Sequence, residues 1–142
     1  MFVVMRLWLF HIGFAIMLSF STLGAQNCAQ PYGKWVNENG SVLEITERSE
    51  QGLLQGTYQS HEGTEGQEFT VLGWWPQGDT VAVSFSVYWK AYGTITSWTG
   101  MCRDKEVEVL WHHVDPEPRF DFQQWSTQRS HFRPLSPKAE AP

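Results

Sequence analysis

Residues 80–100, TVAVSFSVYWKAYGTITSWTG, contain two alternating segments joined by a short turn that includes a glycine. In the first segment, apolar side chains recur at every second position from Val81 to Trp89. A period of two places successive side chains on opposite faces of a β-strand. The second segment continues the pattern, with Thr94, Thr96 and Trp98 on one face. We therefore predict two antiparallel strands that share a face rich in aromatic and hydroxyl groups.

The rest of the chain repeats this pattern. No segment after residue 25 has a sustained helical period, and turn residues separate short alternating runs. Besides 80–89 and 94–102, we predict strands at 33–37, 41–47, 53–60, 67–75 and 105–114, and an eighth within 119–134. This order predicts an all-β, eight-stranded, antiparallel up-and-down β-barrel, because closing the sheet removes its exposed edges. A barrel of about eight strands can hold one small ligand.

The two ends of the chain differ from the barrel region. Arg6 precedes the apolar run LWLFHIGFAIMLSF, and small residues follow, so we predict a secretory signal peptide at 1–25. A retained membrane anchor is the alternative, but a membrane span needs about 20 apolar residues. The barrel domain is then expected at 26–134, and the polar tail 135–142 is expected to be disordered. The mature chain is therefore expected to be secreted or periplasmic, without a membrane attachment.

Charge and cysteine content narrow the possible functions. Of the ten Lys and Arg residues, only Arg6 precedes residue 26, which leaves nine against fifteen Asp and Glu. No basic patch is visible, so nucleic acid and anionic membranes are not expected as partners. Both cysteines, Cys28 and Cys102, remain after cleavage. An exported chain with two cysteines usually pairs them, and two free thiols are the alternative.

The segment 33–45, GKWVNENGSVLEI, has more polar side chains than a hairpin turn requires. Asn39 and Gly40 alone are a sufficient turn signal. Asn37 and Ser41 add hydrogen-bonding groups close to Trp35, which suggests a site for a polar ligand. The simpler interpretation is an ordinary turn followed by the start of a strand. NGS at 39–41 is also an N-glycosylation sequence, and a glycan there would obstruct a pocket.

Five motifs, in this order, resemble those of the avidin and streptavidin family of biotin-binding proteins. They are GKWVNENGS, LQGTYQS, VSFSVYWK, TITSWTG and EVLWHH, and their order and approximate spacing hold over residues 28–111. Each motif is weak alone, whereas five in sequence are specific. The resemblance implies a homo-oligomer, either a dimer or a tetramer, that is not an enzyme and needs no cofactor. Cys28 and Cys102 stand where avian avidins have their one intrachain disulfide, which implies a Cys28–Cys102 bridge.

The resemblance also implies how biotin would be bound. Three residues match the donors to the ureido oxygen, and a buried carbonyl without donors would cost about 1–3 kcal/mol. These residues are Asn37, Ser41 and Tyr58. Two match the polar partners of the ureido N–H and the thiophane sulfur, Ser60 and Thr96, and Thr94 matches the serine at the tail carboxylate.

Three tryptophans match the aromatic box around the bicyclic ring: Trp89, Trp98 and Trp111. Ordinary barrel core is the alternative interpretation for them, because both roles require the same inward phase. Three other tryptophans match no pocket position and are predicted to be structural: Trp35, Trp74 and Trp75.

The chain departs from the family pattern at the expected pocket. Asn39 stands where leucine is common in the family, and His113 stands where strand seven of the family has an apolar residue. Both changes make the expected pocket more polar and more hydrated. The loop SHEGTEG carries Glu62 and Glu65 where the family often has small residues near the ligand carboxylate. An acid there would repel a valerate carboxylate unless it points to solvent. A weaker or altered ligand preference and simple divergence both stay open.

The eighth strand has two possible registers. In the first, Trp125 matches a family tryptophan that reaches the neighbouring subunit's pocket, and Ser130 falls where Asp or Asn is expected. The stretch is, however, shorter than in the family. In the second, DPEP forms a tight hairpin, and Asp121 lies across from Trp111 and could accept the ureido N–H. The residues alone leave both registers open.

Other functions are also compatible with the sequence. A lipocalin-like barrel for a different small molecule would account for Asn39, His113 and Glu62. A structural or carbohydrate-binding β module would account for the seven tryptophans that follow residue 25, all except Trp8. No Ser/His/Asp order or Gly-rich phosphate loop suggests an enzyme. A metal site at His112, His113 and Asp115 is disfavoured, because adjacent strand residues face opposite sides.

Overall fold

Eight β-strands make up most of the protein that the computed structural model describes, namely residues 25–64 and 66–135. Residues 1–24 of the predicted signal peptide, Glu65 and residues 136–142 of the predicted tail lie outside these ranges. The strands are β1 Gly33–Asn37, β2 Val42–Arg48, β3 Leu53–Gln59, β4 Phe69–Trp74, β5 Thr80–Trp89, β6 Thr94–Arg103, β7 Glu106–Val114 and β8 Trp125–Pro134. A 3₁₀ turn, Asp121–Gln123, precedes β8.

The strands form a closed barrel in chain order, and each pairs antiparallel with the next. β8 returns to pair with β1, so the predicted up-and-down β-barrel is confirmed. Tight turns make this order possible. Asp104 and Lys105 join β6 to β7 with positive φ at both residues, the conformation that suits the twist of a two-residue hairpin. Gly40, with φ of 83°, allows the chain to turn between β1 and β2.

The strand register brings the predicted pocket residues opposite one another. Trp98 of β6 pairs with Phe85 of β5 and with Trp111 of β7. Two residues before Trp98 in β6, Thr96 lies opposite His113 of β7. Because paired residues share a face, the alternation seen in the sequence places all of these side chains inside the barrel.

Large apolar side chains fill the other end of the barrel. Trp35 and Trp75 are fully buried, with their ring centroids 5.4 Å apart. Their indole N–H groups donate to the backbone carbonyls of Pro31 and Cys28 at 2.7 and 2.9 Å. The segment before β1 is therefore held across this end of the barrel, which we call the closed end. A disulfide joins Cys28 to Cys102 near the end of β6, the pairing that the resemblance implied.

The seam between β1 and β8 is the shortest in the barrel. Three residue pairs form it, and it ends where Asn37 lies opposite Phe132. The next N–H of β8, that of His131, donates to the Glu38 carboxylate at 2.9 Å. The Glu38 side chain, in the turn between β1 and β2, therefore accepts the hydrogen bond that a backbone carbonyl of a longer β1 would accept. At the other end of the seam, Leu135 still donates a backbone hydrogen bond to Lys34.

The outer surface carries several exposed apolar side chains on β4 to β7. The largest are Leu72, Trp74, Tyr88, Ile95 and Leu110. Trp74, predicted to be structural, is thus a surface residue, whereas Trp35 and Trp75 belong to the core. In the described residues, we find no helix with the length and apolar character that a membrane crossing requires.

Candidate functional site

A cavity of about 550 Å³ opens at the end of the barrel opposite the disulfide. This end, which we call the mouth, carries the loops after β1, β3, β5 and β7. Among the described residues, the lining contains aromatic, amide, hydroxyl and carboxylate groups. The lining residues are Asn37, Asn39, Ser41, Tyr58, Ser60, Glu62, Gly63, Thr64, Trp89, Tyr92, Thr94, Thr96, Trp98, Trp111, His113, Asp115 and Ser126. They include every ligand-binding candidate from the sequence except Asp121 and Trp125.

The side chain of Asn37 is oriented by the turn that follows it. Its Oδ1 accepts the backbone N–H of Ser41 at 2.8 Å and that of Asn39 at 3.1 Å. Because a backbone N–H can only donate, the oxygen must face the turn. The Nδ2 group is consequently a donor that faces away from the turn, and it makes a long contact of 3.4 Å to the Ser130 hydroxyl. It retains a further N–H for a ligand.

Two hydroxyl groups accompany this amide. The Ser41 Oγ accepts the backbone N–H of His61 at 3.1 Å, so its own proton remains to be donated. Tyr58 is buried, and burial raises the pKa of its phenol. A hydrogen bond with Ser41 partly opposes this shift, and the charges of Glu38 and Glu62 add to it. Tyr58 therefore keeps its proton at neutral pH and can act as a donor.

Aromatic rings form the apolar walls of the cavity. Trp98 stacks on Phe85, with centroids 5.0 Å apart and planes at 15°, and contacts Tyr58 at 4.9 Å. Trp89 packs edge-to-face on Phe69 at 4.6 Å. Such contacts stabilise aromatic pairs beyond their buried area and hold the rings in fixed positions. The cavity is therefore preorganised for a flat or bicyclic apolar group.

A short hydrogen-bonded chain crosses the cavity wall. The Trp89 Nε1–H donates to Thr96 Oγ1 at 2.8 Å, and this oxygen lies 2.8 Å from His113 Nδ1. The Thr96 hydroxyl has one proton and two lone pairs. The indole occupies one lone pair, so His113 and the cavity share the rest. His113 thus holds the Thr96 hydroxyl in place, in addition to making the cavity more polar.

Several lining residues were missed by the sequence analysis. They lie at the mouth, in the loops and at the start of β8: Gly63, Thr64, Tyr92, Asp115 and Ser126. Thr64 is 8% exposed, and its hydroxyl has no hydrogen-bond partner among the described residues. Ser126 pairs with His113. Its inward phase would have followed from the sequence only if the register of β8 had been known.

The observed register of β8 corrects one expectation. Trp111 pairs with Gln128, so Asp121 does not lie across from it. Asp121 is instead exposed in the 3₁₀ turn and does not line the cavity. The segment 115–124 is a loop, not the tight DPEP hairpin, because the pairing with β7 begins only where Trp125 meets Val114. Trp125 is 68% exposed and does not line the cavity of its own barrel.

The two adjacent histidines of β7 face different environments. His113 lines the cavity, whereas His112 is exposed and lies 2.9 Å from the Thr127 hydroxyl. Within residues 25–64 and 66–135, no three His, Cys, Asp or Glu side chains are grouped so that they could hold a metal ion.

The closed eight-stranded barrel contains a cavity that is lined by aromatic and polar side chains. This architecture is typical of barrels that bind small molecules. Comparison with protein families identifies the family of binding barrels to which the chain belongs. The model of the avidin family matches residues 25–130, so the chain belongs to that family. A comparison with curated proteins finds no match.

Solved structures agree with this assignment. Apo shwanavidin is 28% identical, with a TM-score of 0.60, and the match covers 71% of this chain and 91% of that one. Core-bradavidin is 30% identical, with a TM-score of 0.62, and the match covers 70% and 96%. Xenavidin, at 23% identity and a TM-score of 0.66, covers 78% and 100% and supports the fold alone. A shwanavidin variant, 27% identical over 72% and 96% with a TM-score of 0.60, has been solved as a biotin complex.

Proposed function

We propose that this protein is a secreted biotin-binding protein that sequesters biotin in the barrel cavity. One observation supports this most strongly. The Nδ2 group of Asn37 and the hydroxyls of Ser41 and Tyr58 all carry protons that they can donate, and they line one cavity, where a ligand oxygen could replace the hydrogen bond between the two hydroxyls. Three such groups in one cavity suit a urea carbonyl, whose two lone pairs and partial negative charge must be satisfied when it is buried.

The remaining groups suit the rest of the ligand. Ser60 and Thr96 supply hydroxyls for the ureido N–H and the ring sulfur, and Thr94 lies nearer the mouth for the tail. Trp89, Trp98 and Trp111 enclose the apolar ring. Burying apolar surface contributes about 25 cal/mol per Å², so three aromatic walls would contribute much of the affinity. Asn39 and His113 are proposed to contact the ligand or its water at the same cavity.

Two features of the whole chain belong to the same proposal. Residues 1–25 would direct export and be removed, which agrees with the disulfide, since such bonds persist outside the cytoplasm. The protein would assemble as a homo-oligomer through its exposed apolar outer face. Trp125 would then reach a neighbouring subunit's cavity. Biotin binding requires no catalysis, cofactor or metal.

The test uses the full chain, exported from a secreting host and purified. Calorimetry with biotin measures binding, and the thermal midpoint with and without biotin provides a second measure. A ligand at about 1,000 times its Kd stabilises the folded state by roughly 4 kcal/mol. Sequencing of the N-terminus checks for cleavage after Ala25. A folded, disulfide-bonded protein that neither binds biotin nor gains thermal stability from it would contradict the proposed function.

A barrel for a different small molecule remains the second candidate, and the polar residues Asn39 and His113 in the cavity favour it. Competition distinguishes the two candidates. A fluorescent biotin conjugate that binds and is displaced by biotin supports the first function. Binding of an unrelated small molecule that biotin cannot displace supports the second.

A further inference from the structure

The charge at the mouth of the cavity is negative. Glu62 and Asp115 line it, and neither lysine nor arginine is among the described lining residues. The basic residue nearest to the lining in the sequence, Lys90, follows Trp89 in an exposed turn and does not line the cavity. A ligand whose outer end carries a carboxylate would therefore approach two carboxylates without an opposing cation.

The negative field extends into the cavity. After burial, the charges of Glu38 and Glu62 contribute to raising the pKa of Tyr58, which lies deeper than the mouth. Charges that disfavour a phenolate at Tyr58 also disfavour any other anion nearby. The negative charge therefore affects Tyr58 as well as the mouth.

The hydrogen-bond donors that could offset this field are partly used. The backbone N–H of His61 donates to Ser41 Oγ, and that of Glu62 donates to Ser60 Oγ at 3.2 Å. Anions in proteins are commonly stabilised by such backbone N–H groups or by cations. In this loop two of these donors already have partners inside the protein, which leaves fewer for a carboxylate.

Resting on the proposed biotin-binding function, we propose that the mouth selects biotin whose tail is an uncharged amide over biotin with a free carboxylate. Glu62 and Asp115 act as the specificity-determining residues by repelling the anion. The preferred ligand is thus biotin in amide linkage, and free biotin is the weaker ligand.

The experiment compares biotin with biotinamide, because the two differ chiefly in the charge of the tail. Competition calorimetry on the exported wild-type protein at low salt should give biotinamide an affinity about tenfold higher, which corresponds to about 1.4 kcal/mol. The ratio should fall towards one in the double variant Glu62→Gln/Asp115→Asn. Asparagine at 115 keeps the Oδ1 that accepts the Glu117 N–H at 2.9 Å. High salt should bring the ratio of the biotinamide affinity to the biotin affinity closer to one in the wild-type protein, because it screens the repulsion.

A matched control removes the same charge elsewhere. Glu50→Gln/Asp79→Asn changes two exposed residues in turns at the closed end, far from the mouth, and should leave the ratio unchanged. Circular dichroism checks that each variant is folded.

The outcomes separate the inference from the function on which it rests. Equal affinities in the wild-type protein, or a preference for free biotin, overturn the inference and leave the proposed function intact. A preference for biotinamide that the double variant retains also overturns it, because the carboxylates would then not be its cause. Failure of the folded protein to bind either ligand overturns the proposed function and the inference together. A preference for biotinamide that the double variant loses supports the inference.

Discussion

At the scale of single residues, Asn37 combines a structural and a binding role in one side chain. Its oxygen completes the β1–β2 turn, and its nitrogen is the donor that faces away from the turn. The two roles can be separated by changing the amide to a carboxylate, which still accepts both backbone N–H groups but cannot donate. If the amide nitrogen made no contact with the ligand, this change would remove only its long contact with the Ser130 hydroxyl.

We therefore predict that Asn37→Asp leaves the thermal midpoint nearly unchanged and weakens biotin binding by at least about 1–3 kcal/mol, because a buried carbonyl loses a donor. Calorimetry and thermal unfolding measure the two effects. Gln59→Glu is the control, because it adds the same charge at the neighbouring end of β3, at a residue that does not line the cavity. An equal loss of affinity in both variants would mean that charge, and not the missing donor, is responsible.

Glu38 provides a pH-dependent contact at the β1–β8 seam. Burial raises the pKa of its carboxyl, but hydrogen bonds from the His131 N–H and the Ser130 hydroxyl outweigh it, so the pKa lies below that of an ordinary glutamate. A group whose pKa is lower in the folded state stabilises the fold above its unfolded pKa. This contribution is lost as the pH falls through the folded pKa.

Thermal midpoints measured from neutral pH to about pH 3 should consequently fall more steeply for the wild-type protein than for Glu38→Gln, since only the wild type loses this contact on protonation. The side chain is exposed, so the difference should be below about 1 kcal/mol. Glu50→Gln, in an exposed turn, is the matched control. Parallel curves for wild type and Glu38→Gln would contradict the prediction.

At the scale of secondary-structure elements, alternation made β5 and β6 predictable and β8 ambiguous. In β5, apolar residues occupy nearly every inward position, so strand and face follow directly from the sequence. In β8, the inward positions facing β7 include Ser126, Gln128 and Ser130, which have no apolar phase. Pairing with β7 fixes the register instead, and such a nonlocal contact leaves no signature within the strand itself.

The residues of the candidate site also fall into two groups, those that the sequence could assign to the cavity and those that it could not. Strand residues such as Thr96 and Trp98 could be assigned to the cavity from alternation and the family motifs together. Thr64 and Asp115 lie in loops, where no period relates the position of a residue to the direction of its side chain. Glu38 was missed for a different reason: its partners, Ser130 and His131, are nearly a hundred residues away in the chain.

Trp125, at the start of β8, is exposed in the single subunit. If it contacts a neighbour's ligand, Trp125→Ala should weaken both biotin binding and the oligomer, while the unfolding free energy of the subunit changes by no more than about 0.5 kcal/mol. Light scattering and calorimetry measure these effects. A wild-type protein that is monomeric at micromolar concentration and still binds biotin tightly would rule out this role.

At the scale of the whole molecule, the disulfide joins the segment before β1 to β6 across 74 positions of sequence. Both cysteines are buried at the closed end, away from the cavity. Replacing both with alanine should lower the unfolding free energy by about 2–5 kcal/mol, because the unfolded chain regains the freedom of a long loop. Urea denaturation measures the change, and biotin affinity should be retained. An unchanged urea midpoint would contradict the prediction.

The short seam between β1 and β8 has a consequence for how the barrel moves. Three residue pairs, one side-chain carboxylate and the backbone hydrogen bond from Leu135 to Lys34 close a sheet whose other seams have more residue pairs, so separation of these two strands disrupts few contacts. Proteins open locally where contacts are few, and amide hydrogens exchange with solvent there first. The amides of Val36 and His131 should therefore exchange faster than those in the middle of β6. The native barrel would then breathe by parting at the place where the two ends of its chain meet.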